Sequence, residues 1–133
     1  MSTLEEFSKR DNYAALSGIT LLEVSEGRAR ARMELTEKHH NCFGTVHGGA
    51  IFTLADFVFG VASNSHGTVS VAINSSISFF KAASSGILYA EAREVSFHPK
   101  LASYAIDVTN EEDELIASFQ GMVYRKRDKL KLE

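Results

Sequence analysis

The chain is 133 residues long, enough for one domain with a substantial core. Hydrophobic residues make up 44% of it and charged ones 23%, the balance of a soluble globular protein and not of a disordered one. A net charge of −3 argues against nucleic acid as the main partner, and the single cysteine, Cys42, excludes an intrachain disulfide and fits a reducing compartment.

The opening residues, MSTLEEFSKRDNY, lack a basic segment followed by an apolar one, so no signal peptide is expected and the chain reads as cytoplasmic. Residues 3 to 12 are predicted to form a short helix, with Thr3 as cap and Glu5 and Glu6 in its first turn. Ile19 to Val24 reads as a strand that turns through Ser25-Glu26-Gly27 into a second. There Ala29, Ala31, Met33 and Leu35 face one way and Arg28, Arg30, Arg32 and Glu34 the other.

The segment from Asn41 to Ser65, NCFGTVHGGAIFTLADFVFGVASNS, is the most informative part of the chain. A glycine-rich turn runs into an apolar helix, far shorter than the roughly 20 residues that span a bilayer, so no membrane is implied. Residues 50 to 62 are apolar around most of the helix, which predicts a helix wrapped by protein on nearly every side. Asp56 lies about two turns inside it, too deep to be a cap. A buried ionised carboxylate costs several kcal/mol unless it is paired or hydrogen-bonded, so Asp56 calls for an explanation.

Period-two alternation then returns. Val69, Val71, Ile73, Ile77 and Phe79 oppose Ser70, Ala72, Asn74, Ser76 and Ser78. After the turn at Ser84-Ser85-Gly86 come strands at about Ile87 to Phe97, Leu101 to Thr109 and Leu115 to Tyr124, separated by His98-Pro99-Lys100 and Asn110-Glu111-Glu112-Asp113. Short turns imply antiparallel neighbours. With one proline, no repeat and no low-complexity linker, residues 1–133 read as a single α+β domain, a curved antiparallel sheet wrapped around one long helix.

That architecture, with Asn41, His47-Gly48-Gly49, Leu54-Ala55-Asp56 and Ala62-Ser63-Asn64-Ser65, resembles the hotdog-fold thioesterases of the phenylacetic acid degradation type. The resemblance implies hydrolysis of acyl-coenzyme A thioesters without a cofactor or metal, by a homodimer at minimum and a homotetramer by the family's habit. It makes Asp56 the catalytic acid, the Gly48 N–H the group that polarises the carbonyl, and Asn41 and His47 the residues that orient water or substrate. Gly49, Ser70 and Asn64 become candidates for substrate contact.

Elementary chemistry agrees. Thioester hydrolysis develops negative charge on the carbonyl oxygen and wants preorganised N–H donors in a dry site. The first amides of a helix have no intrahelical partner, sit at its positive end, and at Gly48 and Gly49 carry no side chain to block approach. A carboxylate among apolar groups has its pKa pushed up by desolvation, which suits a base at neutral pH. Whether Asp56 activates water or attacks the carbonyl stays open.

Other readings compete. Asp56 is also readable as a structural acid bonded to Ser63 or a loop, and His47 as a cap. His39, His40, His47 and His66 lack the i, i+4 spacing of zinc hydrolases, and Cys42 carries no cysteine-hydrolase signature and reads as a small buried or half-buried thiol. Phe43, Phe52, Phe57 and Phe59 read mainly as core. Arg125-Lys126-Arg127, Lys129 and Lys131 read as a solvated end, with coenzyme A phosphates as the alternative; Lys81, Arg93 and Lys100 are further phosphate candidates. The rival functions are a non-catalytic acyl-CoA-binding or sensing domain and an acyl-CoA dehydratase or hydratase.

Spacing adds a constraint. Gly48 and Asp56 lie eight residues apart, about 12 Å along one helix, so one carbonyl cannot meet both. A two-fold dimer that sets the Gly48 end of one helix against Asp56 of its neighbour meets the constraint, with Asn41 acting from the glycine-donating chain.

Overall fold

The computed structural model describes residues 3–131. The chain runs α1 (Thr3–Ser8), α2 (Asn12–Leu16), β1 (Ile19–Ser25), β2 (Arg28–Glu34), a 3-10 turn (Glu37–His39), α3 (Gly48–Ser63), β3 (Thr68–Phe79), β4 (Ile87–Phe97), β5 (Leu101–Thr109) and β6 (Leu115–Lys129). The six strands form one antiparallel sheet in the order β1-β2-β4-β5-β6-β3, and α3 packs against all of them. This is the hotdog arrangement, as the resemblance implied.

The inner face of the sheet is built from small residues and a few large ones. Ala29, Ala31, Ala90, Ala92, Ala102 and Ala117 are all buried and let the helix lie close. Leu54, Val58 and Phe59 of α3 fill the space above them, and Phe59 meets Phe119 at 5.5 Å and Tyr104 at 5.9 Å between ring centroids. Gly121 is part of that fit, because a Cβ there would lie 2.5 Å from the tip of the Phe59 ring. Buried Tyr104 anchors its hydroxyl by donating to Glu94 Oε2 at 2.7 Å.

Several expectations need correction. Residues 3 to 12 do not form one helix: Ser8 Oγ turns back onto Glu5 O, and Asp11 starts α2 by accepting from Ala14 N–H at 3.0 Å. The side chain of Thr3 lies outside the described residues. β3 and β4, joined by residues 80–86, are not neighbours. The connection crosses past the start of α3, where Ala83 O accepts from Val46 N–H, and it delivers the chain into the middle of the sheet while β3 stays at the edge. The alternation in β3 is broken by irregularities after Thr68 and Ala72, so Ser70 is buried while Val71, Ile73 and Phe79 are exposed. β6 runs five residues past Tyr124, so Arg125-Lys126-Arg127 and Lys129 lie on a strand, where Lys126, Arg127 and Lys129 are exposed as a solvated end requires. Cys42 and Phe43 are exposed, while Phe57 and Phe59 are core and Phe52 half-buried. No helix among the described residues is long and apolar enough to cross a membrane.

Candidate active site

The start of α3 is fixed by the loops in front of it. Val46 bridges to His40, His47 N–H donates to His39 O at 2.7 Å, and the buried His39 ring accepts from Thr36 N–H and bonds Ser17 O at 2.7 Å. Asn41 closes the loop that follows: its carboxamide oxygen accepts from Phe43 N–H at 2.9 Å and Thr45 N–H at 3.2 Å. In the single chain Asn41 therefore acts on the loop, with its amide nitrogen bonded to Thr45 Oγ1.

His47 is the N-cap. Its Nδ1 accepts from Gly49 N–H at 2.8 Å, which assigns the neutral ring a proton on Nε2 and leaves that donor at the surface. His47 O then accepts from Ala50 N–H. Gly48 N–H, the first amide of the helix, has no acceptor among the described residues. The Gly48 backbone rests on the Phe79 ring, 3.2 Å from where a Cβ would sit, so a side chain here would press on the ring. One amide of the pair is thus engaged by the cap, and the other is free at the positive end of α3.

The expectation of a helix wrapped on nearly every side fails along one stripe. Gly49 and Asp56 are exposed and Thr53 and Gly60 half-buried, at the i, i+4, i+7, i+11 spacing of a single helix face. Asp56 is therefore exposed in the single chain, not buried. The reason is that the sheet curls around only one side of α3, leaving this stripe on the other side uncovered in the single chain. Asp56 has no hydrogen bond or ion pair among the described residues, and Ser63 Oγ bonds Gly60 O instead, which removes the contact that a structural reading needed. Loss of water around the carboxyl, and next the nearby charge of Asp11, raise its pKa above the ordinary aspartate value.

Asn64 and Ser70 lie at the far end of α3. Asn64 Nδ2 donates to Gly60 O at 2.8 Å and its Oδ1 accepts from Ser70 N–H at 2.9 Å, so this side chain ties the end of the helix to the start of β3. Ser70 Oγ is buried and has no hydrogen-bond partner among the described residues. The fold thus brings Asn41, His47, Gly48 and Gly49 together, sets Asp56 midway along the helix, and places Asn64 and Ser70 at the opposite end.

The other two histidines weighed as metal ligands, His40 and His66, are engaged locally. His40 Nε2 bonds Ser84 O, and His66 bonds Glu94 at 2.6 Å while stacking on Phe97. No three metal-binding side chains converge among the described residues. Of the phosphate candidates, Lys81 pairs with Glu114 and Arg125 binds His98 O at 3.0 Å. Sequence reasoning missed Asp11 and α2 beside the α3 stripe. The signal was present in Asp11-Asn12 ahead of Tyr13-Ala14-Ala15-Leu16, a cap before a short helix.

Two clefts flank the start of α3. One of about 400 Å³ is lined by Gly48, Phe79, Phe80 and Lys81; one of about 510 Å³ lies toward α2 and includes His47, Gly49 and Thr53.

Comparison with known proteins agrees with this fold. Residues 43–117 match the family model described as the thioesterase superfamily. A relative from Archaeoglobus fulgidus is 44% identical over 118 residues, covering 88% of this chain and 77% of its own. The acyl-coenzyme A thioesterase PaaI of Escherichia coli is 30% identical over 118 residues, covering 88% and 84%. The solved structure of the E. coli PaaI protein superposes with a TM-score of 0.91 over 95% of this chain and 92% of that one, at 28% identity. A protein of Streptococcus mutans bound to acetyl CoA superposes at 0.80 over 85% and 91%, at 27% identity. This chain belongs to the thioesterase superfamily, as a hotdog-fold thioester hydrolase of the PaaI type.

Proposed function

We propose that the protein hydrolyses acyl-coenzyme A thioesters in sites that two subunits build together. One observation carries the proposal: Gly48 offers a free N–H at the positive end of α3, and an unpartnered carboxylate stands two turns further along the same helix. Eight residues of helix hold the two about 12 Å apart, beyond the reach of one carbonyl. The PaaI relative's name and the acetyl CoA held by the S. mutans neighbour support the choice of substrate.

In this reading the thioester carbonyl oxygen accepts from Gly48 N–H of one subunit, while Asp56 of the other takes a proton from water. The hydroxide adds to the carbonyl carbon, and the tetrahedral oxyanion is held by the amide whose partner position was left vacant by the helix geometry. Collapse breaks the C–S bond, and the proton held by Asp56 returns to the departing coenzyme A sulfur. Direct attack by Asp56, giving an anhydride, uses the same placement. The Nε2–H of His47 stands beside the donor, and Asn41 holds the loop in front of it. Gly49 supplies open backbone. Asn64 and Ser70 act from the far end of the helix, where the neighbouring subunit's substrate passes.

β3 supports the pairing. Its outer edge has no strand partner among the described residues, and it exposes Val71, Ile73 and Phe79. A long unpaired edge of this kind is a site for joining a second copy, and in this reading pairing two such edges brings two α3 helices side by side. Thiol release from a panel of acyl-CoAs measures the activity, and absence of turnover on every member defeats the proposal. Mixing Asn41→Ala and Asp56→Ala subunits tests the shared site. In a mixed dimer one site is intact and one doubly damaged, so random pairing restores about a quarter of wild-type activity. No rescue, with exchange confirmed, places each site within one chain.

A further inference from the structure

α2 carries its residues the wrong way round for a surface helix. Its one buried residue is Ala14, while Tyr13 is 65% and Leu16 71% exposed. Both large side chains overhang the cleft of about 510 Å³ beside the start of α3, whose other wall includes His47, Gly49, Ala50 and Thr53. That volume is in the ~300–1,000 Å³ range of small-molecule sites.

Several polar groups around this cleft are already engaged in hydrogen bonds. His39 bonds Ser17 O, His40 bonds Ser84 O, Lys38 Nζ donates to Leu16 O, and His47 Nδ1 holds Gly49 N–H. What the cleft presents is therefore apolar surface on the α2 side and a site's edge on the α3 side. Two of its lining residues, the N-cap His47 and Gly49 of α3, flank Gly48 directly in sequence, so any group attached to a carbonyl held by Gly48 N–H has this cleft within reach. The cleft on the other side of Gly48 touches β3 only at its end, Phe79, and its Lys81 is already paired with Glu114.

We propose that Tyr13 and Leu16 are specificity-determining residues, packing against the acyl group of the thioester and setting how strongly a bulky apolar acyl is preferred over a small one. This rests on the acyl-CoA reading of the site. α2 is short and both side chains stand mostly in solvent, so changing them removes contact without emptying the core.

The test separates this inference from the hydrolysis itself. Binding is measured by calorimetry for unreactive thioether analogues of phenylacetyl-CoA and acetyl-CoA, in the wild type and in a Tyr13→Ser/Leu16→Ser double variant. The wild type is expected to bind the phenylacetyl analogue more tightly than the acetyl one, and the double variant to lose about tenfold of that ratio. Turnover of phenylacetyl-CoA and acetyl-CoA should show the same narrowing, carried mainly by KM. An unchanged ratio in a folded variant overturns the inference even if hydrolysis stands. A change in subunit mass by light scattering, with both analogues weakened alike, overturns it too and assigns the α2 face to a second copy. Tight selective binding without any turnover leaves the cleft assignment standing and removes the hydrolytic one.

Discussion

At the scale of single residues, the proposed role of Asp56 in catalysis is tied to stability. Its pKa is raised in the folded chain, first by desolvation and then by Asp11, so the ionised form is less welcome in the fold than in the unfolded chain. Above the raised pKa the carboxylate costs stability, and as pH falls through that value protonation relieves the cost. Asp56→Asn should therefore lower kcat by about 10²–10⁴-fold while raising Tm at neutral pH, with the Tm gain shrinking as the solution is acidified. Kinetics and thermal melts on one preparation check both halves; a lower Tm at neutral pH contradicts the electrostatic argument. The wild-type rate should fall on acidification at a pH above that of an ordinary aspartate. Asp56 and Gly48 were legible in the sequence as candidates, because a carboxylate within an apolar helix and glycines at its start are local facts. The exposure of Asp56 was not legible, since it depends on which side of α3 the sheet covers.

At the scale of elements, the strands with clean alternation, β2 and β5, lie where expected, with Ala29, Ala31 and Met33 and then Ala102, Tyr104, Ile106 and Val108 buried. β3 resisted reading because two backbone irregularities shift its phase, and the exposed outer side of an edge strand leaves its apolar residues without a sheet to face. The passage of residues 80–86 across the molecule was equally hidden, since short connections usually join neighbours and nothing in their composition announces a crossing. Where helix and sheet meet, Gly121 tests the packing. Adding one methyl places it 2.5 Å from the Phe59 ring, which is itself held between Phe119 and Tyr104. Gly121→Ala should cost about 1–3 kcal/mol in denaturant unfolding, and a smaller residue at Phe59 should recover part of it.

At the scale of the whole molecule, the described chain carries every group the proposed chemistry uses but does not bring donor and base together. Activity per chain should then depend on protein concentration. Diluting the enzyme while following mass by light scattering should show specific activity constant while dimers persist and falling as they separate. Constant activity in a population of monomers would refute the shared site.

The position of α2 has a consequence for mixed assemblies. Tyr13 and Leu16 stand beside the start of their own α3, so the residues proposed to choose the acyl group travel with the proposed amide donor, while in the proposed shared site the carboxylate arrives from the other chain. Preference and reactivity would thus be inherited separately within one site. A heterodimer of a chain with altered α2 and a chain with altered Asp56 would hold one active centre, and its taste for substrate would be that of whichever chain lends the helix start. Gene duplication could then diversify substrate range through one copy while the other keeps the chemistry intact.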